Sequence, residues 1–215
     1  MANLKEPAAR SYGQYCGLAR AWDLVGDRWN LLIVRELLPG PLRFNELTTS
    51  LAGIATNLLT ERLRALEAGG VVERRLGDRG ILYALTPWGA ELHTPMEALG
   101  RWAAPLLMSG RGADSFQPRW LVLALPALLH DVTCTATTEV GFNVEGLLIV
   151  LRIDESGPTA AIDPDQPPTT VLTAGPDVVV GLVAGGLTVE QAVAAGELTG
   201  DIEALHAAFT DERRL

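Results

Sequence analysis

The fold of the N-terminal half is decided by Leu42-Arg43-Phe44-Asn45-Glu46-Leu47 and by Leu63-Arg64-Ala65-Leu66-Glu67-Ala68-Gly69-Gly70-Val71-Val72-Glu73-Arg74. The first phrase predicts a short helix over residues 44–51, and the second ends a longer amphipathic helix over residues 56–68. Gly69-Gly70 predicts the end of that helix, since glycine readily adopts the left-handed backbone found there. Two β-rich runs then flank Gly77-Asp78-Arg79-Gly80, which predicts a hairpin. This order of elements is that of a winged helix-turn-helix, which places one helix in the major groove of DNA.

Helices are also predicted before and after these elements in the N-terminal half of the chain. Upstream, apolar residues near helical spacing predict helices over residues 15–25 and 28–38. Downstream, Thr86-Pro87 predicts a helix start, with threonine as the cap and proline at the first helical position. That helix is expected to continue to about residue 108.

Charge is distributed unevenly along the 215 residues, whose net charge is −9. Residues 1–110 contain 12 basic and 11 acidic side chains, whereas residues 111–215 contain 5 basic and 15 acidic ones. This change predicts two domains, 1–110 and 119–215, joined by a linker over residues 109–118. Because proteins bind nucleic acid largely by neutralising phosphates, only the first half is expected to touch DNA.

The second half has the pattern of an α+β domain. Apolar and β-branched runs predict one helix, then four strands forming an antiparallel sheet, and three terminal helices. The expected helices are 120–129, 177–184, 188–195 and 201–209, and the expected strands are 133–140, 146–153, 159–162 and 169–173. The predicted fold is therefore a mainly α winged helix-turn-helix domain with a small β-hairpin, followed by this α+β domain.

Residues 15–108 resemble the HxlR family of bacterial winged-helix regulators, which are relatives of the MarR regulators. The resemblance rests on four blocks in the family's order, which are Ala21-Trp22-Asp23-Leu24-Val25-Gly26-Asp27-Arg28-Trp29, Arg43-Phe44-Asn45-Glu46-Leu47, Leu63-Arg64-Ala65-Leu66-Glu67 and Tyr83-Ala84-Leu85-Thr86-Pro87-Trp88-Gly89. It implies a homodimer whose interface is formed by the N-terminal helix and the helix after the wing. The wing is shorter than in the family, which implies fewer minor-groove contacts.

The candidate DNA contacts are polar and basic residues on the recognition helix and its neighbours. Thr and Asn suit base edges, and Arg suits guanine or phosphate. Thr56, Asn57 and Thr60 are expected to face the groove, with Arg62 or Arg64 near the backbone, Arg43 on a phosphate and Arg79 at the wing tip. Each arginine has an ordinary alternative as a solvated or ion-paired residue, for example Arg64 with Glu61. Because Ala55 replaces the family's usual Ser or Thr, Thr56 is expected to cap the helix.

Cys16 is a candidate redox sensor, because some relatives carry a reactive cysteine on this helix. The alternative is a small apolar packing residue. No catalytic residue, metal site or cofactor is predicted, because His93, His130 and His206 lack metal-ligand spacing and no nucleophile motif accompanies them.

Residues 119–210 resemble the sterol carrier protein 2 (SCP2) family. The residues that carry the resemblance are Leu182-Val183-Ala184-Gly185-Gly186-Leu187-Thr188, Ala192, Gly196-Glu197-Leu198-Thr199-Gly200-Asp201, Leu205 and Phe209. The resemblance implies an apolar cavity for a small hydrophobic ligand. The alternatives are an ordinary core, in which Val178, Leu182, Val189 and Val193 simply pack, and a domain that extends the dimer.

The sequence therefore predicts a transcriptional regulator, by family habit a repressor. It would bind a pseudo-palindromic operator in double-stranded DNA as a homodimer, with a small hydrophobic effector in the C-terminal domain. The alternative is a small-hydrophobic-molecule-binding protein whose winged helix is mainly a dimerisation scaffold. Residues 1–6 have no signal-peptide character, and the longest apolar run, 120–129, is too short to span a bilayer. A cytoplasmic protein with no membrane partner is expected.

Overall fold

The structure is a computed structural model that describes residues 11–107, 111–162 and 166–209. The N-terminal residues 1–6, the predicted helix end at 108 and the first linker residues, 109–110, lie outside the described residues. The prediction of a single helix from Pro87 onward is wrong, because this stretch forms two α-helices, Pro87–Ala90 and His93–Ala103, followed by a 3-10 helix, Ala104–Leu107. The chain divides into two compact units, residues 1–96 and 97–215. Each unit is described by itself below.

The first unit has the predicted winged helix-turn-helix order. Its elements are α1 (Gly17–Val25), α2 (Asn30–Leu37), α3 (Phe44–Ser50), α4 (Thr56–Ala68), β1 (Val72–Gly77), β2 (Gly80–Leu85), α5 (Pro87–Ala90) and the beginning of α6 (His93–Ala103). The strands β1 and β2 pair antiparallel around a two-residue turn, with Gly77 opposite Gly80. An isolated bridge between Leu42 and Tyr83 adds a further short pairing to β2.

Two of the helix starts are explained by capping, and one prediction about capping is wrong. The Thr86 hydroxyl accepts the N–H of Gly89 at 2.9 Å, and Pro87 takes the first helical position as predicted. At α3, the backbone N–H of Arg43 donates to the Glu46 carboxylate at 2.6 Å. At α4, by contrast, the cap is Ala55, and Thr56 is already the first helical residue. The start of α4 therefore has no side-chain cap hydrogen bond.

The core of the first unit is built from the apolar faces of α2, α3, α4 and the hairpin. Its buried members include Ile33, Val34, Leu37, Leu47, Leu59, Leu63, Leu66, Val71, Val72 and Ala84. Glu36 is also fully buried, and its Oε1 lies 2.7 Å from Nη2 of Arg35. Arg35 thus supplies a counter-charge to one oxygen of a carboxylate that would be costly to bury alone.

The second unit is α+β, and its five-stranded sheet has the order β5-β4-β3-β6-β7. After the rest of α6 and α7 (Leu121–Leu128), its elements are β3 (Thr138–Val144), β4 (Leu147–Asp154), β5 (Gly157–Ile162), β6 (Val171–Thr173), α8 (Pro176–Val183), α9 (Val189–Ala194), β7 (Glu197–Thr199) and α10 (Ile202–Phe209). Two expectations are wrong. The sheet is mixed, because the chain passes from β5 at one edge to β6, which pairs parallel to β3. The sheet also has five strands and not the expected four, because β7 was not predicted.

One apolar cluster forms the core of the second unit. Phe142 at the centre of β3 is fully buried, and its ring centroid lies 6.1 Å from that of Phe209 on α10. Of the stripe singled out from the sequence, Leu182 and Val189 are buried in this cluster, and Val178 and Val193 pack against it. All four side chains therefore contribute to the core.

Candidate nucleic-acid interface

The helix α4 has one apolar face and one polar face. Leu59, Leu63 and Leu66 point into the core and are at most 2% exposed. On the other side Thr56, Asn57 and Arg64 are exposed and Thr60 is half-buried. A helix anchored by one leucine face can present the opposite face to the major groove, which is wide enough to admit a helix.

The hydroxyl of Thr60 has a fixed hydrogen-bonding role. Its Oγ1 donates to the carbonyl oxygen of Thr56 at 2.9 Å. The hydroxyl proton is therefore used within the helix, and the oxygen lone pairs and the methyl group remain for an outside partner. That arrangement suits the amino group of adenine or cytosine, or the methyl group of thymine.

The two candidate arginines of α4 have different surroundings. Nη1 of Arg62 forms an ion pair with Asp27 in the turn before α2, and it lies 3.6 Å from Glu61. The Arg62 side chain is only 16% exposed, so this pair ties α4 to that turn. Arg64 is exposed and forms no ion pair within the described residues. Glu61 thus pairs with Arg62, not with Arg64 as the alternative interpretation had it.

The remaining candidate arginines lie at the ends of neighbouring elements. Arg43 caps α3, and its Nη1 is 3.7 Å from Oε1 of Glu46. Arg79 lies in the turn between β1 and β2, where it is exposed and makes no ion pair in the part of the chain that the structure describes. Arg64 and Arg79 are therefore the candidate contacts whose charge is not neutralised by a neighbouring carboxylate.

Two other arginines of the hairpin are already paired. Nε of Arg74 donates to Oε1 of Glu67 at 2.8 Å, and this hydrogen bond raises the pKa of Arg74 above its ordinary value. Nη2 of Arg75 lies 2.6 Å from Oε1 of Glu73. These pairs lower the net positive charge that the wing offers to a phosphate.

Arg28 is a further candidate contact, which the sequence pattern did not predict. Arg28 is exposed, and its guanidinium carbon lies 5.8 Å from the ring centroid of Trp29. Trp29 has φ of 85°, a left-handed conformation that is an outlier for a bulky residue. The turn that holds Arg28 also supplies Asp27 to Arg62 of α4. The only sequence signal for this residue is its place in the block that ends at Trp29.

Cys16 lies at the N-terminus of α1 and is exposed. The backbone N–H groups of Ala19 and Leu18 lower the pKa of its thiol below the ordinary value. Hydrogen bonding from these N–H groups at the start of a helix favours the thiolate over the thiol. Cys134, in contrast, is 3% exposed in the core of the second unit.

This contrast predicts selective alkylation of Cys16. Because a lowered pKa leaves more thiolate at neutral pH, iodoacetamide should label Cys16 with a pH midpoint below that of an unstructured cysteine peptide. Cys134 should react only after unfolding. Mass spectrometry of native and denatured protein measures both, and Cys16→Ser should abolish native labelling. A midpoint at or above that of the peptide would contradict the prediction.

Large apolar side chains are exposed on α1 and, separately, on α6 and the turn that follows it. Before and on α1 they are Tyr15, Leu18 and Trp22. On α6 and the next turn they are Leu99, Trp102, Leu106 and Leu107. Beside α1, a cavity of ≈ 220 Å³ is lined by Ala21, Leu24, Val25, Val71, Trp88, Glu91 and Leu92. Clusters of exposed apolar side chains are a common feature of protein interfaces.

The described residues contain neither a candidate metal-ligand cluster nor a candidate membrane-spanning helix. No group of three or more His, Cys, Asp or Glu side chains within them could hold a metal ion. Across the same residues, none of the helices combines the length and apolar character that a membrane span needs.

Comparison with known proteins identifies relatives of the first unit. The HxlR-like helix-turn-helix family matches residues 24–110. The transcriptional regulator YodB of Bacillus subtilis (strain 168) is 37% identical over 86 residues, covering 39% of this chain and 77% of YodB. An uncharacterized HTH-type transcriptional regulator of the same organism, YvaP, is 37% identical over 87 residues, 39% of this chain and 81% of YvaP. The reduced form of YodB from B. subtilis is similar in structure, with a TM-score of 0.40, 34% identity, and coverage of 45% of this chain and 99% of that one. These relatives are named transcriptional regulators.

Proposed function

This chain belongs to the HxlR-like helix-turn-helix family, and from that premise we propose that it is a transcriptional repressor that binds a pseudo-palindromic operator as a homodimer. The observation that carries the proposal is the polar face of α4, opposite its buried leucines. Thr56, Asn57 and Thr60 on this face would read bases. Arg64 and Arg79, which are exposed and not paired within the described residues, would neutralise phosphates.

The remaining candidates have supporting roles in this proposal. Arg43 is partly occupied by Glu46 and would contact a phosphate from the start of α3. Arg62, held by Asp27, would fix the position of α4 and not contact DNA itself. A helix positioned in this way presents its polar face with less conformational freedom, which favours specific binding.

Salt dependence tests the DNA interface. Wild type is expected to shift its own upstream DNA, and Arg64→Ala or Arg79→Ala should each weaken binding about a hundredfold, the effect of losing one charged hydrogen bond in each protomer of the dimer. Each should also lower the slope of log affinity against log salt by about two, because each protomer releases one fewer counterion. Gel shifts at several salt concentrations measure both quantities.

The matched control for these variants is Arg152→Ala. This change removes the same charge from β4 of the second unit, where Arg152 pairs with Glu139 at 3.1 Å and no DNA contact is proposed. It should leave affinity and slope unchanged. If neither Arg64→Ala nor Arg79→Ala differs from wild type, or if wild type shifts no sequence specifically, the regulator proposal fails. The molecule-binding alternative, in which the winged helix is a scaffold, would then be favoured.

The proposed homodimer is supported by the exposed apolar side chains. A dimer interface that buried Tyr15, Leu18 and Trp22, near α1, would be stabilised because it removes apolar surface from water. Burial of Trp102 on α6, which is 76% exposed, would stabilise the dimer for the same reason. A dimer would cover two half-sites about one helical turn of DNA apart. A nuclease footprint over a single half-site would indicate a monomer.

The proposed effector site is in the second unit, for which we infer an SCP2-like domain that takes a small hydrophobic molecule. Its support is the order of strands followed by helices and the apolar core that packs between them. The acidic character of this half, with 15 acidic against 5 basic side chains, would keep it away from DNA. For the whole chain a cytoplasmic location is proposed, and Cys16 is kept as a candidate redox sensor.

A further inference from the structure

The tip of the β1–β2 hairpin carries two exposed apolar side chains that the DNA interface described above does not use. Leu76 and Ile81 are directly paired across the two strands. Leu76 is 91% exposed and Ile81 is 52% exposed. Side chains so exposed contribute little to the stability of the fold, and two of them opposed at a hairpin tip form a small apolar surface.

The hairpin presents this pair at a narrow end. The turn itself contains only Asp78 and Arg79, and the first pair behind it is Gly77 with Gly80, which have no side chains. Directly opposed residues share a face of the hairpin, so Leu76 and Ile81 project together. They are the first side chains behind the turn to do so.

The next pair on the same face anchors the hairpin to α4. Successive side chains of a strand alternate between faces, so Arg74 and Tyr83 follow Leu76 and Ile81 on this face. Arg74 is hydrogen-bonded to Glu67 of α4 at 2.8 Å. The apolar pair is therefore carried on a hairpin that is attached to the recognition helix.

The surroundings of the pair favour DNA as its partner. Arg79 lies in the turn beside it with no ion pair among the residues that the structure describes, and can neutralise a phosphate. The minor groove of B-DNA, about 6 Å wide, is too narrow for a helix but can take a thin element. Apolar side chains that enter it between base steps unstack them and bend the duplex.

We propose that Leu76 and Ile81 form an apolar wedge that enters the minor groove beside the half-site and bends the DNA. This proposal rests on the proposed function, since it requires the wing to reach DNA. It assigns the wing two separable roles. Arg79 supplies salt-dependent affinity, and the apolar pair supplies a bend with no counterion release.

The experiment uses the full chain and a duplex selected by the wild-type protein from a random-sequence library. Energy transfer between dyes at the two ends reports the bend, and titrations at several salt concentrations report affinity. Wild type should bend the duplex by an angle within about 20–90°. Leu76→Ala should remove most of the bend and weaken binding about tenfold, with an unchanged salt slope.

Two variants make the result specific to the wedge. Leu76→Met keeps an apolar side chain of similar size and should retain the wild-type bend. Arg79→Ala should keep the bend and lower the salt slope by about two, one for each wing of the dimer. Because Leu76 is 91% exposed, Leu76→Ala should melt at the wild-type temperature, so unfolding cannot account for its effect.

The outcomes separate this proposal from the function on which it rests. If wild type selects no duplex, the proposed function fails and the wedge fails with it. If wild type binds without bending, or if Leu76→Ala bends DNA as wild type does, only the wedge is overturned. If Leu76→Ala instead lowers the sedimentation mass of the protein without DNA, the pair is a contact between protein chains and the proposal is likewise overturned.

Discussion

Gly89→Ala is expected to unfold the winged helix-turn-helix unit at temperatures where the wild type is folded. A Cβ added at Gly89 would overlap the carbonyl oxygen of Val71, a backbone atom that no rotamer change can remove. Overpacking against fixed backbone costs about 3 kcal/mol or more. That is a large part of the stability of a small domain.

The carbonyl of Val71 is held in place from several sides. It accepts the N–H of Thr86 at 3.0 Å, and the Val71 side chain is 2% exposed. The Thr86 hydroxyl donates to the carbonyl of Gly70 at 2.7 Å and accepts the N–H of Gly89. Any shift that makes room for the new methyl group must break the cap of α5 or displace the start of β1.

Chemical denaturation followed by circular dichroism measures the effect, and Gly175→Ala is the matched control. Gly175 caps α8 at φ of −67°, which alanine adopts without strain, and an added Cβ there meets no atom within 4 Å. Because glycine is preferred to alanine at an N-cap, this change should cost no more than about 1 kcal/mol. A Gly89→Ala protein that unfolds within about 1 kcal/mol of wild type would show that Val71 yields more easily than its contacts suggest.

Local signals in the sequence were sufficient for the elements around the candidate interface. Gly77-Asp78-Arg79-Gly80 predicted the hairpin, and Thr86-Pro87 predicted the start of α5, since each depends on backbone preferences within a few residues. The leucine spacing of α4 correctly predicted which of its faces is buried. Features encoded over short distances could be predicted because few competing arrangements satisfy them.

Features that depend on distant partners could not be predicted in this way. Arg62 was a candidate for the DNA backbone, but its partner Asp27 is 35 residues away in the sequence. The parallel pairing of β3 with β6 likewise depends on the path of the chain between distant strands. The exposure of Leu76 was missed because an apolar residue in a strand is ordinarily expected to be buried.

Leu151→Ala is expected to destabilise the second unit by about 3–5 kcal/mol and to leave DNA binding intact. Leu151 is fully buried at the centre of β4, between Val140 of β3 and Ala160 of β5. Truncation leaves a cavity that the paired strands on both sides cannot close, so the loss of contacts adds to the loss of burial.

The core that Leu151 belongs to contains no residue of the proposed DNA-binding domain. Every buried member of that cluster lies between Leu121 and Phe209. The proposed domains, 1–110 and 119–215, should therefore unfold separately. A calorimetric scan of Leu151→Ala should show one transition at a lower temperature and a second one at its wild-type position. DNA affinity below the first transition should stay within about twofold of wild type.

Leu63→Ala is the matched control, because it makes the same truncation at a leucine that is 2% exposed in α4. Leu63→Ala should lower the temperature of the other transition, that of the DNA-binding domain. It should abolish DNA binding once that domain unfolds, since Leu63 anchors the helix that carries Asn57 and Arg64. If both variants lower one common transition, the chain unfolds as a single cooperative unit. An effector in the second domain could then act on DNA binding through stability alone, whereas separate transitions would require it to act through the geometry of the dimer.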